Sequence, residues 1–308
     1  MTTAFYSHPD CETHLPPAGH PEQVARLAAV ARGLAGLDLL RLEAPLGVEA
    51  DILHCHPARY LDRVRRAMPA QGGAQLDGDT YLSPGSLNAA LRGVGGACAA
   101  VDLVLSGSAS NAFVACRPPG HHAERETAMG FCLFGNVAIA AKRALDHHGL
   151  KRVAVVDFDV HHGNGTQDLL WDEGRCLFAS SHQMPLYPGS GAAGECGAHG
   201  QIVNIPLASG TGGVEMRAAY ATHILPRFAE FAPDLILISA GFDAHRADPL
   251  AGLAWVEADF AWLTTRICDL ADQFCEGRVV SMLEGGYDLD ALAASVAAHV
   301  GILKERGQ

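Results

Sequence analysis

The chain is short of positive charge. It has 22 Lys and Arg against 34 Asp and Glu, a formal net charge of −12. That balance excludes the broad basic face of a nucleic-acid binder and favours, if anything, cationic substrates through long-range steering. The nine cysteines are odd in number and contain no C-x-x-C pair. Their spacing excludes a disulfide framework and a cysteine-based zinc site. Cys116 and Cys132 sit in apolar stretches and read as small hydrophobes. The first residues, Met1 to Cys11, lack a basic stretch followed by an apolar run, so no secretory signal is expected. No apolar run reads as membrane-spanning. These absences predict a cytoplasmic location with reduced thiols, no membrane and no nucleic acid among the partners. Internal repeats, low-complexity tracts and flexible linkers are also missing, so one domain over residues 1–308 is expected.

What is present is a globular composition, 49% hydrophobic and 18% charged. Short apolar, β-branched runs recur at Thr3–Tyr6, Ala112–Cys116, Arg152–Phe158, Cys176–Ser180, Ile202–Ile205, Leu235–Ala240 and Val279–Leu283. Helix-like segments separate them, at 22–35, 86–105, 133–148, 214–231 and 256–275, and 291–301 has the same Ala-rich character. Strands alternating with helices predict an α/β fold with a mainly parallel sheet flanked by helices. Residues 70–79, AQGGAQLDGD in sequence, predict a long exposed loop.

Polar residues follow five of the runs: Arg117–His122, Asp157–Asn164, Ser180–His182, Gly241–Asp243 and Glu284–Tyr287. In parallel α/β sheets ligands bind beyond the carboxyl ends of the strands, so five strands are expected to deliver chemistry to one edge. Asp157, Asp159 and His161 are spaced two apart, which puts them on one side of an extended chain. Two carboxylates and an imidazole crowded at a strand end call for a cation or a proton to offset their repulsion. A catalytic zinc takes three protein ligands and keeps one position open. Asp159 and His161 supply two, and Asp243, after Gly241, is placed to be the third, although a lone Asp after a strand is also a common helix cap.

His121 and His122 occupy a Pro-Pro-Gly turn, where neutral imidazole can take a proton from water. A solvated histidine pair is the plainer alternative. Tyr287, after two glycines, can donate to a developing oxyanion or simply be a surface turn residue. Gly130-Phe131 and Tyr187 can line a narrow apolar tunnel or pack in the core.

Taken together these motifs resemble the histone deacetylase / acetylpolyamine amidohydrolase family. Arg117–Ala123, Gly130–Cys132, Asp157–Thr166, Ser239–His245 and Glu284–Tyr287 match its motifs in order, from about His20 to Tyr287. The resemblance implies an arginase/deacetylase-like fold and one Zn²⁺ per chain on Asp159, His161 and Asp243. It implies that His122 is the general base and acid, His121 its partner, Asp157 the carboxylate on His121, and Tyr287 the group that polarises the carbonyl. It makes Phe131 and Tyr187 tunnel walls, Tyr187 standing where many relatives carry Phe. Asp157, Asp159, His161 and Ser180 match a potassium site beside the zinc, and Arg26 matches an arginine near the base of the pocket. Asn164 stands where class I deacetylases carry Asp and class II enzymes carry Asn. It implies a class II-like deacylase with a less basic His122.

The expected substrate is an acylated lysine peptide or a small acylated amine. Acetylpolyamine deacetylation would use the same residues. Some polyamine-selective relatives place an acidic residue after an Asp-Pro pair, where this chain has Leu250 after Asp248-Pro249. A non-catalytic binding protein of the same fold is a further alternative, as is a two-manganese ureohydrolase. Self-association into a homo-oligomer stays open.

Overall fold

A computed structural model describes residues 2–307. Its strands are β1 (Thr3–Ser7), β2 (Leu40–Glu43), β3 (Ala74–Gln75), β4 (Tyr81–Leu82), β5 (Asn111–Val114), β6 (Val153–Asp157), β7 (Cys176–Gln183), β8 (Ile202–Leu207), β9 (Leu235–Ala240) and β10 (Val279–Leu283). The helices are α1 (Ala25–Gly33), α2 (Glu49–Leu53), α3 (Ala58–Ala67), α4 (Ser86–Leu105), α5 (Asn136–Lys142), α6 (Asn164–Leu170), α7 (Gly213–Ala219), α8 (Leu225–Phe231), α9 (Glu257–Phe274) and α10 (Leu289–Arg306). Eight strands form one sheet in the order β2-β1-β5-β10-β9-β6-β7-β8, every pair parallel. The expected α/β architecture, a mainly parallel sheet flanked by helices, is what the chain adopts.

The central strands are apolar throughout because both faces are covered. Along β6, Val153 and Val155 pack with α4 and α5 residues such as Val94, Val101 and Ile139. Ala154 and Val156 point the other way, toward Phe260, Leu263 and Ile267 of α9 and Val296 of α10. Phe158 continues that second face, its ring 5.9 Å from Phe242 and 6.0 Å from Phe260. Burying such side chains supplies about 1.5–3 kcal/mol each. The alternation explains Asp157-Phe158-Asp159: the phenyl ring anchors the strand end in the core while the flanking carboxylates turn to the site.

Some elements differ from expectation. β2 is an exposed edge strand with Arg41 and Glu43 in it, so no apolar run marks it. α3 carries four arginines and buries only Tyr60, Leu61 and Val64. The segment 70–79 is not simply a loop. Ala74 and Gln75 pair with Tyr81 and Leu82 in a small antiparallel hairpin, and its turn brings Asp79 to the pocket described below. Contrary to the expectation that no apolar run would read as membrane-spanning, α4 is long and apolar enough to cross a membrane by length and composition alone. It packs against α5 and β5 instead, with most of its length buried.

Behind the sheet edge lies a buried ionic cluster. Glu22, Arg26 and Arg117 are each 0% exposed. Glu22 pairs with Arg117 through two contacts, one of 2.6 Å, and with Arg26 Nη1 at 3.0 Å. Burial alone would raise the Glu22 carboxyl, but the Arg117 and Arg26 guanidinium groups hold it down at about 2. Arg26 in turn donates from Nε to Gly286 O (2.7 Å) and from Nη2 to Glu284 O. Its guanidinium sits 5.1 Å over the Tyr287 ring. The cluster thereby braces the turn that carries Tyr287.

Candidate metal centre and active site

The carboxyl ends of β5, β10, β9 and β6 are neighbours in the sheet, so the segments that follow them meet at one edge. After β6 the chain does not stay extended, as the spacing of its acids had implied. Asp157 Oδ1 accepts from Asp159 N (3.1 Å) and Asp159 Oδ1 from His161 N (2.9 Å). These two successive turns separate the roles of the two aspartates. Asp157 faces His121, while Asp159 and His161 converge with Asp243 from the end of β9.

His161 Nδ1 lies 3.1 Å from Asp159 Oδ1 and 3.2 Å from Asp243 Oδ2. The ligand atoms of Asp159, His161 and Asp243 all fall within 4.8 Å of one another, and all three residues are buried. Burial and the Asp159 charge push the Asp243 carboxyl up to about 7. Burial works against a charged His161, but Asp159 and Asp243 outweigh it and carry the imidazole up to about 10. Two buried carboxylates around one imidazole nitrogen suit a divalent cation, whose charge would answer both.

The surroundings keep that geometry. Asp159 Oδ2 accepts from Gly285 N (2.8 Å) and Asp243 Oδ1 from Val160 N (2.9 Å). A Cβ at Gly285 would run into both carboxylates, and one at Gly241 into Asp159. Gly285→Ala is therefore expected to weaken divalent-metal affinity by about 10–100-fold, the usual effect of disturbing groups that orient ligands. Chelator competition measures this, and unchanged affinity would contradict the cradle.

The histidine pair faces the cluster. His121 Nδ1 is 3.0 Å from Asp157 Oδ2, and its Nε2 is 3.8 Å from Asp159 Oδ2. Burial opposes its charge, but Asp159 and Asp157 hold it well above the ordinary histidine range. His122 goes the other way, held well below that range by burial and by the neighbouring His121 and His161. Its Nδ1 is 2.7 Å from Asn164 Oδ1. The two imidazoles, with ring centres 4.0 Å apart, are thus pushed in opposite directions. Glu284 Oε2 accepts from Gly120 N (2.7 Å) and His121 N (3.1 Å), fixing the turn on which they sit.

A cavity of about 200 Å³ opens onto this centre. His122, His161 and Tyr287 line it together with Gly130, Phe131, Leu186, Tyr187, Leu250 and Asp79. The Tyr287 ring stands edge-on to Phe131 at 5.9 Å. Burial and the Asp243 and Asp159 charges push its hydroxyl well up, so it stays protonated and available as a donor.

The residues singled out in the sequence therefore fall into three connected groups. Asp159, His161 and Asp243 form the cluster; His121, His122, Asp157 and Asn164 form the imidazole pair and its partners; Gly130, Phe131, Tyr187, Leu250 and Tyr287 line the cavity. Ser180 lies beside Asp157 in register on β7 and is bonded to His182 Nδ1 (3.0 Å). Asp79 and the backbone contacts of Glu284 were not read from the sequence, and Leu186 was read only within Leu186–Gly189, a stretch that could wall a tunnel. Glu284 was signalled only by its place after an apolar run, and Asp79 lay in the segment read as loop.

Fold and site define an α/β enzyme with a metal-capable centre, a buried histidine pair beside it and a cavity lined by His122, His161 and Tyr287. The chain belongs to the histone deacetylase family: the histone deacetylase domain matches residues 20–303. It is 39% identical to the chloroplastic histone deacetylase 14 of Arabidopsis thaliana, over 94% of this chain and 71% of that one. It is 41% identical to the histone deacetylase-like amidohydrolase of Pseudomonas aeruginosa, over 88% of this chain and 73% of that one. The crystal structure of the HDA15 HD domain superposes with a TM-score of 0.93 at 34% identity, covering 99% of this chain and 89% of that one. The chain is thus a hydrolase of the deacetylase family.

Proposed function

We propose that the chain is a zinc-dependent amide hydrolase that removes acetyl or other acyl groups from lysine side chains of proteins or peptides. The observation that carries this reading is the cavity, slim and walled by Phe131, Tyr187, Leu186 and Leu250, with His122, His161 and Tyr287 at its foot. Such a shape suits an extended alkyl chain entering amide first. Asp159, His161 and Asp243 would hold the zinc, a three-ligand set of the kind that leaves a position open. When bound, zinc supplies Lewis-acid polarisation of the amide carbonyl and a water acidic enough to serve as nucleophile near neutral pH.

The chain's own residues handle the proton and the oxyanion. His122 receives hydrogen-bond support at Nδ1 from Asn164, leaving Nε2 to take the proton of the attacking water. His122 or His121, the latter held charged by Asp159 and Asp157, then delivers a proton to the departing amine. Tyr287 donates its hydroxyl hydrogen to the oxygen that gains charge. A potassium ion held by Asp157, Asp159, His161 and Ser180 belongs to the same reading.

One observation favours the runner-up, a small cationic amide such as an acetylpolyamine: Asp79 sets a carboxylate in the cavity wall. Against it, Asp248 is engaged with Leu250 N (3.0 Å) and Tyr287 N (2.7 Å), and the next wall group is the apolar Leu250. Steady-state kcat/KM for an acetyl-lysine peptide and for acetylputrescine, with and without chelator, decides. The expected result is a preference for the peptide that chelator abolishes. A preference for acetylputrescine would reverse the substrate assignment, and chelator-resistant turnover would remove the metal from it.

A further inference from the structure

Glu124 lies two residues beyond His122, in a turn closed by Glu124 N to Thr127 O at 3.0 Å. The turn is tied to α6 by Arg125 N donating to Asp168 Oδ2 at 2.8 Å. α6 approaches this closely because Gly165 has no side chain, and a Cβ there would strike the backbone of His122 and Ala123. Thr166 N also donates to His121 O at 3.0 Å. Asn164, the first residue of α6, is thereby held between two partners. Its Nδ2 donates to Glu124 Oε1 at 2.8 Å, and its Oδ1 lies 2.7 Å from His122 Nδ1.

An asparagine amide has nearly the same shape after a half-turn, but its ends have opposite chemistry: one accepts and the other donates. Turned over, it would donate to His122 Nδ1 and force the imidazole proton onto Nε2, the nitrogen that must be free for base catalysis. A carboxylate can only accept, and hydrogen bonds to a charged acceptor are about twice as strong as neutral ones. Glu124 is therefore satisfied by one orientation of Asn164 and not by the other. Met129 Sδ, 3.3 Å from Nδ2, is a weak acceptor that adds little.

We propose that Glu124 is a positioning residue: by accepting from Asn164 Nδ2 it turns the Asn164 carbonyl toward His122, fixing the proton on Nδ1 and the lone pair on Nε2. The proposal rests on the reading of His122 as the general base. It also carries a built-in control. An aspartate at position 164 accepts through either oxygen, so it would set the same tautomer without help from Glu124.

The test compares Glu124→Ala, Glu124→Gln, Asn164→Asp and the double variant Asn164→Asp/Glu124→Ala in the zinc-loaded full chain acting on an acetyl-lysine peptide. A second readout is the ¹⁵N spectrum of the metal-free chain labelled at histidine, with His122 assigned by difference from His122→Ala. Glu124→Ala is expected to lower kcat by at least about tenfold with little change in KM, since a wrong tautomer can cost as much as about 10⁴. Glu124→Gln, whose amide can turn to accept or to donate and so satisfies either orientation of Asn164, should also lower kcat, though less than Glu124→Ala. In the Asn164→Asp background, removing Glu124 should not lower kcat at all. The His122 nitrogens should read as protonated Nδ1 and free Nε2 in the unsubstituted chain, with Nε2–H gaining population in Glu124→Ala. The proposal is overturned if Glu124→Ala leaves kcat and the His122 spectrum unchanged, or if Glu124→Gln keeps full kcat. An equal loss from removing Glu124 in both backgrounds would overturn it too. Should the unsubstituted chain hydrolyse no acyl amide, the functional reading fails, while the spectrum still decides the tautomer.

Discussion

His122→Ala should lower kcat for an acetyl-lysine peptide by about 10²–10⁴ while zinc added to the chain stays bound. His122 lies outside the Asp159, His161 and Asp243 cluster, so its loss removes a proton acceptor and leaves the metal donors intact. Burial and the neighbouring imidazoles keep it neutral, which is the form a base requires. Tyr287→Phe is the companion experiment. It deletes one hydroxyl and keeps the ring against Phe131 and beneath Arg26. Losing a single oxyanion donor is expected to cost about 10²–10³ in kcat with a smaller change in KM. Kinetics paired with elemental analysis check both variants. Near-normal turnover in the two would contradict the roles assigned to them.

Glu22→Gln should destabilise the fold by about 3–5 kcal/mol, the usual result of breaking a buried ion pair from one side. The substitution leaves Arg26 and Arg117, both fully buried, facing a neutral amide. pH adds a second signature. The Glu22 carboxyl sits at about 2 in the folded chain against an ordinary 4.5. Its stabilising contribution is therefore complete above pH 4.5 and is lost as pH falls toward 2. Glu22→Gln should flatten that part of the stability profile, as measured by urea unfolding at stepped pH. A loss under about 1 kcal/mol would show the triad to be replaceable. Because Arg26 also braces Gly286 and Tyr287, turnover should fall as well.

The sheet was legible where strands are covered on both faces. β6, β9 and β10 are near-continuous apolar runs, and each ends in a polar segment that reaches the site. β2 and α3 escaped notice because a half-exposed element carries few apolar residues, and local propensity alone marks them weakly. In the site, pairing through space was the hidden part. Asp243 was ambiguous after its strand, and only the adjacency of β9 to β6 brings it to His161. The hairpin of β3 and β4 is too short to leave a periodic trace, so Asp79 passed as loop. Glu284 was visible as a letter within a motif and Glu124 stood one residue past another, but their tasks depend on which backbone amide or side chain each one faces. Spacing along the chain holds no such information.

We propose that one zinc on Asp159, His161 and Asp243 supports amide hydrolysis in this chain. The most direct measurement is turnover of an acetyl-lysine peptide by metal-free protein titrated with zinc, with Asp243→Ala run alongside. The predicted curve starts at background, rises in step with added zinc and saturates at one equivalent, and Asp243→Ala stays at background throughout. Full turnover before zinc is added, saturation only at two equivalents, or restored activity in Asp243→Ala would contradict the account.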